Sequence, residues 1–217
     1  MTTPDDLFPE VAKDPEIAAR QRAFSRHQHS MVGVGDANNE RYTLAPTLEQ
    51  CMRFAWVDRI DIDVAACPEA HCADEWLGRQ ADGSFRDALT CSWTPRAFPM
   101  HPALRPRPLI GWCNMPYTLL LEFMERAMLA MRDRELDILM MLPPGDRCEQ
   151  DWWQIWVEPY RDGRGSYKGI EVQTKCLPGR QKFGSPGDPK GLLASSAPFP
   201  SVCVVLLGPG ATSGALR

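Results

Sequence analysis

The chain has 217 residues, a length that suits one domain with appendages. Apolar residues make up 44%, charged residues 24%, and the net charge is -4, which excludes coating of nucleic acid by bulk charge but leaves room for a local basic patch. No stretch approaches the ~20 apolar residues of a membrane helix, and the acidic start Met1-Thr2-Thr3-Pro4-Asp5-Asp6 has no apolar export core. The expectation is a cytoplasmic protein without membrane contact, its eight cysteines reduced and several of them buried as small hydrophobes.

Residues 1–40 are polar and lack an apolar period, so they read as a loosely packed arm with a helix over 14–26. A helix is expected over 47–56, capped by Thr47. Residues 59–66 read as a strand ending in small residues. Residues 94–108 hold five prolines together with Arg96, Arg105 and Arg107, and form a loop. Leu109 to Cys113 is a short apolar strand. Residues 119–132 place Leu120, Phe123, Met124, Ala127, Met128 and Met131 on one face of an amphipathic helix. Leu136 to Leu142 is a buried strand that Pro143-Pro144-Gly145 ends. Trp152, Trp153 and Trp156 lie in a second helix over 148–157. Residues 169–177 and 201–207 are strand-like, and 208–217 reads as a flexible tail.

Apolar strands alternating with amphipathic helices predict an α/β fold, with a mostly parallel sheet covered on both faces. Ligands of such sheets bind beyond the carboxyl ends of the strands, where this reading puts Asp63 and Asn114. Ala65 and Ala66 at the end of the 59–66 strand are small enough to let a ligand approach the backbone. Asn114-Met115-Pro116-Tyr117 is open to two interpretations. It is a turn of common composition, or it is an amine site: the asparagine oxygen and a nearby backbone carbonyl accept from an exocyclic amine while the tyrosine ring holds a flat base.

Other motifs carry less. Cys67, His71 and Cys72 have irregular spacing for zinc and no second ligand pair, so no metal is expected. The segment 208–214, Gly-Pro-Gly-Ala-Thr-Ser-Gly, lacks the lysine and following helix of a phosphate loop. Residues 159–190 hold Arg161, Arg164, Lys168, Lys175, Arg180, Lys182 and Lys190 against Asp162, Glu171 and Asp188, a local +4 by seven minus three. Arg96, Arg105 and Arg107 form a second basic edge. Either is a solvated face or a phosphate contact.

In order along 41–207, several stretches resemble the phage-type DNA N6-adenine methyltransferases, the phage Dam-like family. "IDIDVAA" (60–66) resembles the family's first-strand motif, "DALTCSW" (87–93) its Asp-Gly-Leu…Trp segment, and "WCNMPYT" its catalytic Asn-Pro-Pro-Tyr. "DILMMLPP" with Trp152 resembles the next strand and turn. "GRQKF" (179–183) and "SAPFPSVCVV" (196–205) resemble the C-terminal pair of motifs. Two positions depart: Met115 stands for the first proline, and the early Thr-Pro element is stretched to Tyr42-Thr43-Leu44-Ala45-Pro46.

The resemblance implies a Rossmann-like S-adenosylmethionine-dependent methyltransferase domain over 41–207, acting on adenine N6 in double-stranded DNA in a phage or restriction–modification setting, in a bacterial host cytoplasm. It implies a cofactor site at Thr43, Asp63, Ala65 and Asp87, with Asp63 near the methionine end and Asp87 at the adenine amine. It implies a catalytic set of Asn114, Met115, Pro116 and Tyr117, with Met115 supplying only its carbonyl. Arg105, Arg107, Arg180 and Lys182 are the expected DNA contacts. Cytosine N4 methylation is an alternative with the same chemistry, and a non-catalytic DNA-binding accessory protein on a decayed methyltransferase fold is another.

Overall fold

A computed structural model describes residues 41–98, 101–193 and 196–211. The expected arm over 1–40, with its helix over 14–26, lies outside these residues. Strands β1 (Tyr42–Thr43), β2 (Ile62–Ala66), β3 (Trp76–Arg79), β4 (Phe85–Arg86), β5 (Ile110–Cys113), β6 (Ile138–Met141), β7 (Glu171–Cys176), β8 (Phe183–Gly184) and β9 (Val202–Leu207) alternate irregularly with helices α1 (Ala45–Ala55), α2 (Leu120–Arg132) and α3 (Asp151–Trp156).

Seven strands form one sheet in the order β4-β3-β2-β5-β6-β9-β7, and β1 pairs with β8 in a separate ribbon. Within the large sheet β3, β2, β5 and β6 are mutually parallel. β9 is antiparallel to both of its neighbours, so β7 runs with β6, while β4 folds back on β3. Five of the seven strands therefore share one direction. Numbered within the sheet the order is 3-2-1-4-5-7-6. The order is compatible with the 3-2-1-4-5-6 of doubly wound sheets, but its strand 3 is the antiparallel hairpin strand β4, and antiparallel β9 stands between the last two. The order reverses between β2 and β5, which makes the carboxyl ends of those two strands the topological switch point.

The apolar runs explain why both faces are covered. Every residue of β5, β6 and β9 is buried. Val202, Val204, Leu206, Leu139, Met141 and Cys113 pack with α2 and the α3 tryptophans on one face. Cys203, Val205, Leu207, Met140 and Trp112 pack with Cys51 and Ala55 of α1 and with Phe183 on the other. Gly111 lets α2's end and β6 close on β5, because a Cβ there would stand 2.5 Å from Leu136 Cδ1.

Local differences from the expected elements have physical causes. α1 begins at Ala45 with Pro46 in its first turn, and no side chain caps it. The Thr47 hydroxyl instead donates to Gln181 Oε1 (2.9 Å), tying α1 to the segment before β8. The strand expected over 59–66 shortens to 62–66: Asp61 donates its N–H to Ile110 O (2.8 Å), but its carboxylate, also paired with Arg107, accepts the Ile110 N–H (2.9 Å). Between β2 and β3 the chain crosses without a helix, and no α-helix separates β4 from β5, so within the large sheet strands and α-helices alternate only from β5 through α2, β6 and α3 to β7. β3 has no apolar run to announce it, and it fits its neighbour through Gly78, at φ +117 with Ala66 O 2.1 Å from where a Cβ would sit. The expected tail does not begin at 208: Gly208 is buried and donates to Asp137 O (2.8 Å), and Ala211 donates back to Gly208 O.

Candidate functional site

The carboxyl edge of the parallel strands carries the loops after β2, β5 and β6 and the start of β9, whose first pairs lie beside the end of β6. Residues 41–43 lie across the switch point. Asn114, one residue beyond β5, donates its amide Nδ2 to Arg41 O (2.7 Å), while Tyr42 bonds the Cys67 thiol just beyond β2. β1 thus spans from the end of β2 to the end of β5, and β8 clamps it there through the pairs Tyr42 with Gly184 and Thr43 with Phe183.

The Arg41 carbonyl can only accept, so it fixes the orientation of the Asn114 amide. The Oδ1 atom then faces away from Arg41, and it is buried without a hydrogen-bond partner. Thr43 Oγ1 and the Tyr117 hydroxyl are buried and unpartnered in the same way. Buried polar atoms are as a rule satisfied, because each orphan costs ~1–3 kcal/mol. These three orphans belong to residues that the resemblance assigns to the cofactor or catalytic set.

Met115 and Tyr117 differ from what the sequence suggests. Met115 is 2% exposed and packs among the core residues under α2, and its N–H bonds the Cys113 sulfur. Its side chain is structural, so its role is not confined to its carbonyl. Tyr117 is half-buried rather than exposed: its ring meets Phe199 edge-on at 5.2 Å. Burial pushes its hydroxyl above the ordinary phenol range, opposed by the positive fields of Arg41 and Arg147. Beside Tyr117 an open cleft of about 460 Å³ runs between the starts of α2 and α3, lined also by Thr118, Leu121, Gln150 and Trp152. Its volume is within the ~300–1,000 Å³ of small-ligand sites. Pro116 is half-buried and leads into the single turn Tyr117–Leu119 that starts α2.

Asp63 is the second residue of β2, not its end. It is 3% exposed, and its carboxylate accepts the N–H groups of Ala65 (3.2 Å) and Cys72 (3.0 Å). Burial raises it to about 6, partly offset by those bonds. The carboxylate folds the loop after β2 back onto the strand. A cofactor role for Asp63 would share that carboxylate with its own backbone. Ala65 and Ala66 are half-buried at the strand end. Asp87 follows the edge strand β4 and caps its own turn, accepting from Leu89 N (3.0 Å) and Thr90 Oγ1 (3.2 Å).

The four expected DNA contacts separate. Arg105 and Arg107 precede β5, at the amino ends of the strands and opposite Asn114. The Arg105 side chain is 2% exposed and lies 3.7 Å from Asp137. Arg107 grips Asp61 and covers the Phe98 ring. Burial withdraws Arg105 from a phosphate, and the ion pair with Asp61 engages Arg107. Arg180 and Lys182 are exposed and lead directly into β8, beside β1. Arg161 and Arg164 both pair with Glu158, which lowers the charge that the stretch presents. The sequence alone does not single out Phe199 or Arg41, since their contacts with Tyr117 and Asn114 depend on loops far apart in the chain. His71 stacks on Trp76 at 4.3 Å and bonds Ala73 O; no cluster of three metal-ligating side chains occurs among the described residues.

Comparison with family models, curated proteins and solved structures finds no match to this chain.

Proposed function

We propose that this chain is an S-adenosylmethionine-dependent methyltransferase acting on the exocyclic N6 amine of adenine in DNA. The observation that carries the reading is the Asn114 amide: its nitrogen is committed to Arg41 O, and its buried oxygen has no partner. The position also supports it, since Asn114 follows β5 where the order of a mostly parallel sheet reverses. The ordered motifs over 41–207 resemble one family and supply the choice of base and donor.

The residues at the switch point fit the cofactor. The unpartnered Thr43 Oγ1 offers a hydroxyl, and small Ala65 leaves the backbone open, so Thr43 and Ala65 would hold it. When bound, it supplies a methyl group activated on a sulfonium sulfur. The acceptor amine is a poor nucleophile because its lone pair is delocalised into the ring. Asn114 Oδ1 and the Met115 carbonyl accept its two N–H groups and draw the lone pair out of conjugation. They also stabilise the positive charge that grows on nitrogen, an electrostatic role that requires no strong base. A base reaches such a site only by leaving the duplex. The Tyr117 ring, which meets Phe199 edge-on, would stack on the base.

The test is single-turnover methylation of adenine-containing DNA, with labelled cofactor and mass analysis of the nucleosides. Asn114→Ala is expected to lower turnover by roughly 10²–10³, as for one lost oxyanion-hole donor, and to leave cofactor affinity unchanged. Wild-type rates in the variant would make Asn114 a turn residue. N4-methylcytosine among the products would move the reading to cytosine. DNA binding without transfer would assign the fold to an accessory protein.

A further inference from the structure

We propose that Leu192 and Leu193 form an apolar wedge that enters the base stack of duplex DNA, an inference that rests on the methyltransferase reading. The two side chains are 83% and 90% exposed, the most exposed large hydrophobics among the described residues. Their backbone is nonetheless tightly held. The Asp188 carboxylate accepts both N–H groups, Leu192 at 2.9 Å and Leu193 at 2.8 Å. Ser185 and Asp188 exchange backbone bonds in both directions, and Gly191 N donates to Asp188 O (3.0 Å). At the root, Gly184 lies so close to the turn that a Cβ would stand 2.3 Å from Pro189 O. Two adjacent leucines fixed in water by such a loop are an unsatisfied apolar surface, which marks a contact site.

Charge selects the occupant. Exposed Lys190 stands two residues before the tip, and exposed Lys182 is bridged to Ser196, three residues beyond it, whereas the nearby acid Asp188 is engaged by the loop's own N–H groups. An apolar tip flanked by cations complements a polymer with anionic edges and an apolar interior, which describes duplex nucleic acid. Position agrees. Pro189 packs on Gly184, Gly184 pairs with Tyr42, and the neighbouring Arg41 holds Asn114. A base that leaves the stack toward Asn114 leaves a gap, and leucine side chains filling it would offset part of the unstacking cost.

The experiment compares wild type, Leu192→Ala/Leu193→Ala and Leu192→Met/Leu193→Met on a short mixed-sequence duplex in which 2-aminopurine replaces single adenines. Affinity is read by anisotropy across a salt series, unstacking by 2-aminopurine fluorescence, and association by sedimentation. The alanine variant is expected to keep its thermal midpoint and its salt slope, to bind roughly tenfold more weakly, and to lose the fluorescence rise. The methionine variant, which keeps apolar bulk, should retain both. An alanine variant that binds and unstacks like wild type overturns the wedge alone. A wild type that binds no duplex at low salt overturns the wedge and the DNA-methylation reading together. A wild-type dimer that the alanine change dissociates would mean that a second copy covers the tip, and also overturns the wedge.

Discussion

Replacing Asp63 by asparagine tests whether this carboxylate belongs to the fold. The group is 3% exposed, and burial raises it from the ordinary 3.8 to about 6. A raised folded value means that the folded state binds the proton more tightly than the unfolded chain does. Its contribution to stability is therefore full below the unfolded value near 3.8 and is lost as pH rises through about 6. The interval of about 2 pH units, at ~1.4 kcal/mol each, corresponds to ~3 kcal/mol lost between pH ~4 and ~7. This opposes the usual gain from ion-paired carboxylates such as Glu158, whose partners Arg161 and Trp153 hold it down at about 2. Asparagine does not titrate, so subtracting the variant's stability from wild type isolates the group. Urea unfolding of both proteins from pH 4 to pH 8 should show wild type losing ~3 kcal/mol relative to Asp63→Asn. A constant offset of ~1–3 kcal/mol should accompany it, because the amide can accept only one of the two N–H bonds. A difference independent of pH, or one in which wild type gains on the variant as pH rises, would refute the argument.

Gly78→Ala should destabilise the fold by more than 1 kcal/mol, since it adds a Cβ at φ +117 against Ala66 O; chemical denaturation reads this, and an unchanged midpoint would contradict the tight approach of β3 to β2. Tyr117→Phe should leave thermal stability equal or higher, because the removed hydroxyl is buried without a partner; a clear loss would reveal a partner for it. Charge removal at Arg180 and Lys182 together should reduce the magnitude of the log–log salt slope of DNA binding by up to ~2, with cofactor affinity unchanged; an unchanged slope would make them ordinary solvated side chains.

Periodicity alone determined much of this protein. The runs at 109–113, 136–142 and 201–207, short and bounded by proline or glycine, read as buried strands, and the 3.6-residue spacing of Leu120, Phe123, Met124, Ala127 and Met131 reads as a helix. The two-residue strands β1 and β8 carry no such signal, and their pairing comes from the chain before β2 and the chain between β7 and β9 meeting in space. Only tertiary structure could decide the fate of single polar groups. Arg105 and Lys182 are both basic residues near apolar segments, yet one is buried beside Asp137 and the other faces water. Asp63 and Asp87 look like strand-end acids, but their oxygens accept from their own loops. Asn114 looks like a turn residue, and the carbonyl that orients it lies 73 positions away in the chain. Burial of apolar side chains is a sum over many positions, so the sequence carries it redundantly. A hydrogen bond depends on one partner at one distance, and that partner is chosen by the packing of the whole chain.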